Sequence, residues 1–370
     1  MFRKEARPDT GDGETQVTDT APCQKSLKTT LDREAVDLVR QEVLAEFQKQ
    51  AALAGFRKGK APAELVRRQY AKSIDDETLQ RVTRRALEQA VKAHALKPVG
   101  PFEVGAASFT QDGGLTIAAT VEVEPEFALG AYKGIALTKA SAELSAGDVE
   151  QALSKLRESM AQLVPAASGE GKERQVPALD DELAKDLGYE SLDQLRTHVE
   201  TKLREQKRSA QAEALEAALC DELVRRHPFQ LPARLVSHQA ERLSREFKVR
   251  LLFSGLSEEQ VGAEASKFTE QLRTSAERRV KLAFILERIA EAEHIGVTQD
   301  ELLKRLWELS RRWKKDPAEV RKIFDAEGLW NSVVSSIRQE KTIAMALAAA
   351  SVQEPAASPT LIPTSQPTKA

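Results

Sequence analysis

The spacing of apolar residues changes twice along this 370-residue chain, and these changes limit the folds that it can adopt. Apolar residues first recur every three or four positions, then alternate with polar ones from Phe102 to Val123, and then return to helical spacing. A spacing of three or four indicates one face of a helix, and alternation indicates one face of a strand. We therefore predict an α+β protein: a small N-terminal α+β domain followed by an elongated, all-α C-terminal domain.

The first domain is predicted to span residues 23–138, with helices on one face of an antiparallel sheet. A strand is predicted at Cys23–Leu31, and Asp32 follows it in a position suited to cap a helix. Farther along, Asp112-Gly113-Gly114 separates two segments of alternating polarity, which is typical of a hairpin. Pro62 is typical of the first turn of a helix, so the segment before it is predicted to join two helices.

The second domain, predicted for residues 139–350, is nearly all helical. It begins with a linker helix at 145–163, which is followed by a segment rich in helix breakers at 165–175. Residues 1–22 and 351–370 are dominated by polar residues, Pro, Gly and Ala, and both are predicted to be disordered tails.

The charge and composition of the chain exclude several classes of function. It holds 55 Lys and Arg against 57 Asp and Glu, a net charge of −2, so any contact with a polyanion has to be local. The 2 cysteines and 5 scattered histidines predict neither a disulfide framework nor a metal site, and no cofactor is expected. No catalytic motif is found. The N-terminus lacks a secretory signal, and no stretch approaches the roughly 18 apolar residues of a membrane span, so a cytoplasmic location is expected.

A short basic segment, Gly55–Pro62 (GFRKGKAP), lies in the predicted loop between two helices. Phe56 offers an apolar ring, Arg57 a planar fork of donors, and Lys58 a flexible point charge. Such a set suits a surface of phosphates and carboxylates, bound without base readout. The segment is one residue short of a P-loop and has Ala61 in place of Ser or Thr, so a nucleotide site is excluded. On these residues alone, a merely solvated basic loop remains the simpler interpretation.

The same segment resembles the ribosome-docking motif of bacterial trigger factor, in the place where that family has it, between two helices of a small N-terminal α+β domain. The resemblance covers roughly residues 23–350. Further segments that resemble the family are Val121–Phe127 (its hairpin strand), Ala146–Val149 (the start of its linker helix), and Val176–Leu183 with Leu192–Arg196 (the entry to its C-terminal domain).

This resemblance implies a ribosome-binding domain and a helical chaperone domain, in an ATP-independent chaperone that holds nascent polypeptides against aggregation at the exit tunnel. The implied partners are ribosomal protein and RNA near the tunnel and unfolded nascent chains, with room for a homodimer of the free protein. Neither a membrane nor free nucleic acid is an expected partner. The implied ribosome-binding residues are Gly55, Phe56, Arg57, Lys58, Gly59 and Lys60.

One departure from the family changes the expected activity. Full-length members carry an FKBP-like prolyl isomerase domain, about a hundred residues in size, between the linker helix and the C-terminal domain. In this chain only Pro165–Gln175 lies there, without an aromatic residue to line a proline pocket. The isomerase domain is therefore predicted to be absent, and the chain is predicted not to be an enzyme.

Client binding is expected on apolar side chains that the helical domain leaves exposed. Leu251, Leu252 and Phe253 precede a break at Ser254-Gly255 and are the candidate apolar tip. The simpler interpretation is that they pack in a core or between helices, as most apolar residues do. The three tryptophans are expected in the core.

Four other functions are compared with this interpretation. A free helical holdase would not dock on ribosomes at all. A protein that binds free nucleic acid through the basic loop is disfavoured by the neutral charge balance. An envelope chaperone of the SurA kind is disfavoured by the missing secretory signal and by the loop itself. A residual isomerase would need a pocket that this chain has no residues to form.

Overall fold

The fold is known from a computed structural model that describes residues 14–165 and 172–353. The strands are β1 (Glu14–Ala21), β2 (Gln24–Leu31), β3 (Glu103–Phe109), β4 (Leu115–Glu122), β5 (Ala136–Thr138), β6 (Gln162–Pro165), β7 (Lys172–Gln175) and β8 (Ser351–Gln353). The helices are α1 (Arg33–Gln50), α2 (Ala63–Gln69), α3 (Ala71–Ala93), α4 (Ala146–Ser159), α5 (Asp181–Asp186), α6 (Leu192–Arg226), α7 (Ala233–Phe253), α8 (Glu258–Lys267), α9 (Thr269–Ala292), α10 (Gln299–Trp313), α11 (Pro317–Glu327) and α12 (Trp330–Ala348). The α+β region followed by a helical region confirms the predicted fold class.

The N-terminal region is built on a four-stranded antiparallel sheet with the order β1–β2–β4–β3. β2 and β4 form its centre in an unbroken register that runs from Gln24 opposite Glu122 to Leu31 opposite Leu115. Alternate residues of both strands are buried on one face, as the sequence predicts. The predicted hairpin is confirmed as well, because the turn between β3 and β4 places Gly113 at a φ of +85°.

Strand β1 corrects the predicted N-terminal tail. Residues 1–13 lie outside the described residues, but Glu14–Ala21 pairs with β2, so the prediction of disorder is wrong for that stretch. The hydroxyl of Thr15 lies 3.1 Å from that of Thr29 on β2, and Val17 packs against the core. An edge strand exposed on most of its surface needs few apolar residues, so its composition does not distinguish it from a tail.

Helices α1 and α3 cover the buried face of the sheet. Asp32 caps α1 as predicted, since its carboxylate accepts a hydrogen bond of 2.9 Å from the backbone N–H of Ala35. The apolar residues of the two helices recur at helical spacing and enter the same core as the strands. The core members on α1 and α3 are Val36, Val39, Val43, Ile74, Val82, Ala86, Leu87 and Ala90.

The described chain forms two compact units that interleave in sequence. The first holds the described residues through Ala128 together with His227–Phe284, and the second holds Leu129–Arg226 together with the described residues from Ile285 onward. The predicted division, a single boundary after residue 138, differs from this arrangement. Periodicity along a chain marks where elements change, but it does not show which distant elements pack together.

Within the first unit, the carboxylate of Glu122 at the end of β4 caps helix α7. It accepts hydrogen bonds from the backbone N–H groups of Arg234 (2.7 Å) and Leu235 (3.0 Å), and only 7% of Glu122 is exposed. The first N–H groups of a helix lack partners inside the helix, and the helix dipole favours negative charge there. Close by in sequence, Phe127 stacks on Phe229 with ring centroids 4.2 Å apart. These contacts fix the start of α7 to the sheet.

In the second unit, the predicted linker helix is observed as α4. Ser145 and Asp148 form a reciprocal capping box at its start, and the helix ends at Ser159, four residues before the predicted 163. The linker helix packs against α5 and α6 through the buried side chains of Leu153, Ala184 and Leu195.

Two short sheets complete the second unit. β6 and β7 pair antiparallel across the segment predicted to replace the isomerase domain, whose residues 166–171 lie outside the described residues. β8 pairs in parallel with β5, so the prediction of disorder from residue 351 onward is wrong for Ser351–Gln353, while residues 354–370 lie outside the described residues. A three-residue strand is too short to leave an alternation pattern in the sequence.

Candidate functional site

The basic segment of the sequence forms a folded-back loop between α1 and α2, which we call the docking loop (Gly55–Lys60). The backbone N–H of Gly59 donates to the carbonyl of Ala51 at 3.2 Å, which returns the chain to the end of α1. Within the loop, Lys60 N–H donates to the Arg57 carbonyl at 2.9 Å. The six residues predicted as ribosome-binding therefore lie together at one tip.

The base of the docking loop is held by a small apolar cluster. Ala51, Ala61 and Val66 are buried in it, which ties the end of α1 to the start of α2. Gln48 of α1 also donates its side-chain N–H to the carbonyl of Ala61 at 2.8 Å. The partly buried residues that complete the cluster are Leu44, Phe47, Leu53 and Tyr70.

The two glycines of the docking loop are needed for different structural reasons. Gly55 and Gly59 both have positive φ, at +86° and +78°, a region that side chains disfavour. At Gly59 a Cβ atom would also lie 3.0 Å from the carbonyl oxygen of Lys49, whereas at Gly55 it would meet nothing within 4 Å. Gly59 is therefore fixed both by conformation and by the close approach of α1.

The charged and apolar groups of the docking loop face solvent. Phe56 is 43% exposed, and Arg57, Lys58 and Lys60 are exposed as well. None of these three cations forms a salt bridge with a residue among 14–165 and 172–353. An apolar ring among exposed cations can contact both the uncharged and the anionic parts of a partner surface.

The exposed cations continue along α2 and into α3. Arg67 and Arg68 lie in the last turn of α2, and Lys72 lies in the first turn of α3. Leu65, on the same short helix, is exposed like Phe56. The basic surface is therefore local, as the neutral charge balance of the chain requires.

Salt bridges between α1 and α3 stiffen the support of the docking loop. Arg81 contacts Glu46 at 2.6 Å, and Arg85 contacts Glu42 at 2.5 Å. The hydrogen bond from Arg81 holds the pKa of the Glu46 carboxyl below its ordinary value. The last two turns of α1, from which the docking loop leaves, are thus fixed to a second helix.

The predicted apolar tip lies at the end of α7. Phe253 is the last residue of that helix and is 88% exposed, Leu252 is exposed, and Leu251 is half-buried. Gly255 follows with a φ of +92°, which reverses the chain toward α8. The structure thus presents two of these three side chains to solvent on a helix end.

Comparisons with known proteins agree with this architecture. Residues 14–156 match the family model described as bacterial trigger factor protein, and residues 191–348 match the one described as its C-terminus. The chain belongs to the trigger factor family. Together the two matches include the sheet, the docking loop and most of the helices, and no family model of a prolyl isomerase domain matches.

Two curated trigger factors illustrate the similarity. That of an Anaeromyxobacter species is 24% identical over 426 residues, which cover 91% of this chain and 99% of the relative. That of Geobacillus kaustophilus is 25% identical over 406 residues, which cover 86% of this chain and 94% of the relative. Both matched stretches are longer than the 370 residues of this chain, so the relatives contain segments that this chain lacks.

A solved trigger factor chaperone, known for promiscuous substrate recognition in folding and assembly, has the same fold. Its TM-score is 0.51 at 19% identity, with 90% of this chain and 99% of that chain covered. Among the described residues, no helix is long and apolar enough to cross a membrane. The same residues contain no group of three or more His, Cys, Asp or Glu placed to hold a metal ion.

Two exposed tryptophans were missed by sequence reasoning. Trp307 and Trp313, both on α10 of this trigger factor family member, are 58% and 42% exposed, which corrects the expectation that the tryptophans lie in the core. Two apolar stripes run along α10, and the stripe that contains Leu306 is the one that packs against α11. Sequence periodicity reveals both stripes but does not say which one is covered.

The two glycines give a test of how the docking loop is held. We expect Gly59→Ala to speed hydrogen exchange of the amide of residue 59 about 5- to 30-fold, since left-handed strain of about 1–2 kcal/mol and the contact with Lys49 both weaken its hydrogen bond. Gly55→Ala carries the strain without the contact and should change this amide less. Equal effects of the two substitutions would contradict this account.

Proposed function

We propose that this chain is a chaperone that docks on the ribosome through the docking loop and holds nascent polypeptides without ATP. The observation that carries the proposal is the exposed Phe56 among exposed cations, on a loop fixed at its base, in a member of the trigger factor family. The chaperone function follows from the family, and the docking step is our proposal from the loop.

The chemistry of the docking loop suits a ribosomal surface. Such a surface combines RNA phosphates with protein carboxylates, and Arg57 can contact either group with two parallel hydrogen bonds. Phe56 adds an apolar contact that salt does not screen. Few charges take part, so binding should be modest and should weaken with salt, which allows repeated docking and release.

No nucleotide is assigned to the proposed cycle of docking and release. The docking loop differs from a P-loop in spacing and in Ala61, and the structure gives Ala61 another role, since its side chain is buried and its carbonyl accepts from Gln48. Release is then set by the weakness of each contact and not by hydrolysis.

Clients are proposed to bind at the exposed end of α7. Phe253 and Leu252 present apolar surface at a helix end, where an extended polypeptide can approach from several directions. Side chains of this kind bind many sequences weakly, because they impose no fixed pattern of hydrogen bonds. Promiscuous recognition, known for the solved relative, fits such a surface.

We further propose that the chain does not catalyse prolyl isomerisation and that it works in the cytoplasm, where ribosomes are. The family matches end at residue 156 and resume at residue 191, which leaves too few residues for an isomerase domain. Short paired strands, β6 and β7, lie in this interval instead.

Ribosome docking can be tested by co-sedimentation at several salt concentrations. We expect the wild-type chain to pellet with bacterial ribosomes most strongly at low salt, and the triple variant Phe56→Ala, Arg57→Ala, Lys58→Ala to bind about tenfold or more weakly. Two cations are removed, so the slope of log affinity against log salt concentration should become shallower, by the equivalent of about two phosphate contacts.

The matched control for docking is a triple substitution on α7. Lys248, Val249 and Arg250 are consecutive, exposed, and supply the same kinds of group: one apolar side chain and two cations. Changing all three to Ala should leave co-sedimentation unchanged. If both triple variants bind like the wild type, the loop does not dock, and a free holdase becomes the better description.

Client holding can be tested with an unfolded, proline-poor client. We expect Phe253→Ser with Leu252→Ser to raise the chaperone concentration needed for half-suppression of aggregation roughly two- to tenfold, since the exposed apolar contact is lost. Leu38 on α1 is exposed to about the same extent as Leu252, and Leu38→Ser serves as the control. Equal loss in the two variants would argue against a client site at the end of α7.

Catalysis can be tested in a refolding reaction limited by proline isomerisation. We expect the purified chain to leave the slow phase unchanged, with its uncatalysed time constant of about tens to hundreds of seconds. A faster slow phase that scales with chaperone concentration would show an isomerase activity and would refute this part of the proposal.

A further inference from the structure

Helix α10 carries an apolar and cationic stripe on its exposed side. Leu303, Trp307 and Arg311 are spaced by four residues and therefore share one face. Leu303 is 50% exposed and Trp307 is 58% exposed. We call Leu303, Trp307 and Arg311, with the neighbouring cations Lys304 and Lys314, the α10 stripe.

The α10 stripe is separate from the packing face of the helix. Leu306 is buried against Val320 and Phe324 of α11. Trp313 also contributes to that side, since it stacks on Phe324 with centroids 6.0 Å apart and ring planes 2° from parallel. The core of α10 to α12 is thus completed without Leu303 and Trp307, which leaves their exposure without a packing reason.

Five exposed cations lie on α10 and directly after it. Of the described residues, none forms a salt bridge with Lys304, Arg311, Arg312, Lys314 or Lys315, and all five are exposed. Arg305 on the same helix contacts Glu308 at 3.5 Å and also pairs with Glu340, so partners are available where the fold uses them. The dipole of α10 favours cations at its C-terminus, but it explains neither Lys304 in the middle nor the adjacent indole.

We infer that the α10 stripe binds segments of unfolded polypeptide in which aromatic or aliphatic residues are flanked by carboxylates. This inference rests on the proposed function as a holdase and adds a preference among clients. Trp307 and Leu303 supply the apolar contact, and the exposed cations Lys304, Arg311 and Lys314 supply charge complementary to Asp and Glu. A peptide fits better than RNA, because Leu303 offers no π face and Trp313 is already stacked, which leaves one indole for base stacking.

The test compares three labelled peptides of equal length with the same central Phe-Leu-Phe and with flanks of Asp and Glu, of Ser, or of Lys. Fluorescence anisotropy with the full-length chain measures binding at low and at high salt. We expect the acidic peptide to bind most tightly at low salt and to lose that advantage at high salt. Trp307→Ala, and separately Arg311→Gln with Lys314→Gln, should each weaken binding of the acidic peptide about tenfold.

A matched control removes equal charge elsewhere in the same unit. Lys185 and Arg208 are exposed and form no salt bridge with a residue in the described ranges, so Lys185→Gln with Arg208→Gln should leave all three affinities unchanged. Far-ultraviolet circular dichroism checks that each variant keeps its helix content. An equal loss in the control would reduce the effect to net charge and overturn the inference.

Other outcomes separate this inference from the proposed function. Equal binding of the three peptides, with aggregation still suppressed, overturns the preference and leaves the holdase intact. Failure to bind any peptide or to suppress aggregation overturns both. Tighter binding of single-stranded RNA, lost in Trp307→Ala, would make the α10 stripe a nucleic-acid site. Association of the chain with itself, lost in the same variant, would make it an interface between two copies. Either result would overturn the inference.

Discussion

The pairing of β2 with β4 is the contact on which both the docking loop and helix α7 depend. β2 leads through the Asp32 cap into α1, and α1 carries the docking loop at its far end. β4 ends at Glu122, whose carboxylate caps α7. A slip of one residue in this register would turn the buried face of one of the two strands outward and shift Glu122 relative to the helix that it caps. The same eight-residue strands therefore position two surfaces that lie far apart in the sequence.

The features that follow from local sequence were predictable, because they have a local physical cause. Asp32 caps a helix, the Gly113 turn closes a hairpin, and Ser145 begins α4, each through contacts within a few residues. The docking loop belongs to this class as well, since Gly55 and Gly59 define its turn within five residues. Pattern reading succeeds where chemistry and geometry are set by neighbours in the chain.

The features that were missed depend on partners distant in sequence. β1 is polar because it is an edge strand, and only its pairing with β2 distinguishes it from a tail. The interleaving of the two units depends on contacts such as the Glu122 cap, which joins residues more than a hundred positions apart. The exposure of Trp307 depends on which face of α10 meets α11. None of these three features produces a periodic pattern of apolar residues from which it could be predicted.

Salt-bridge formation between neighbouring side chains, more than amino-acid composition, determines where this chain presents charge. The totals of 55 basic and 57 acidic residues nearly cancel, and many exposed cations are neutralised by carboxylates three or four positions away on their own helix. The docking loop and the α10 stripe are exceptions, since their cations have no such partners in the described parts of the chain. Both also place an aromatic ring among these exposed cations. A neutral protein can thus offer local positive sites without a long-range field.

The interleaved first unit has a consequence for how the protein itself is made. Its sheet is complete once β4 has been synthesised, but His227–Phe284, which belongs to the same unit, is translated roughly a hundred residues later. Contacts between such distant segments form slowly, because a long intervening chain has to be ordered first. Until then the Glu122 carboxylate has no helix to cap and stays hydrated. The newly made chain therefore passes through a stage with a finished sheet and an unfinished unit, so a protein of this family is, for that interval, an incompletely folded chain at the ribosome.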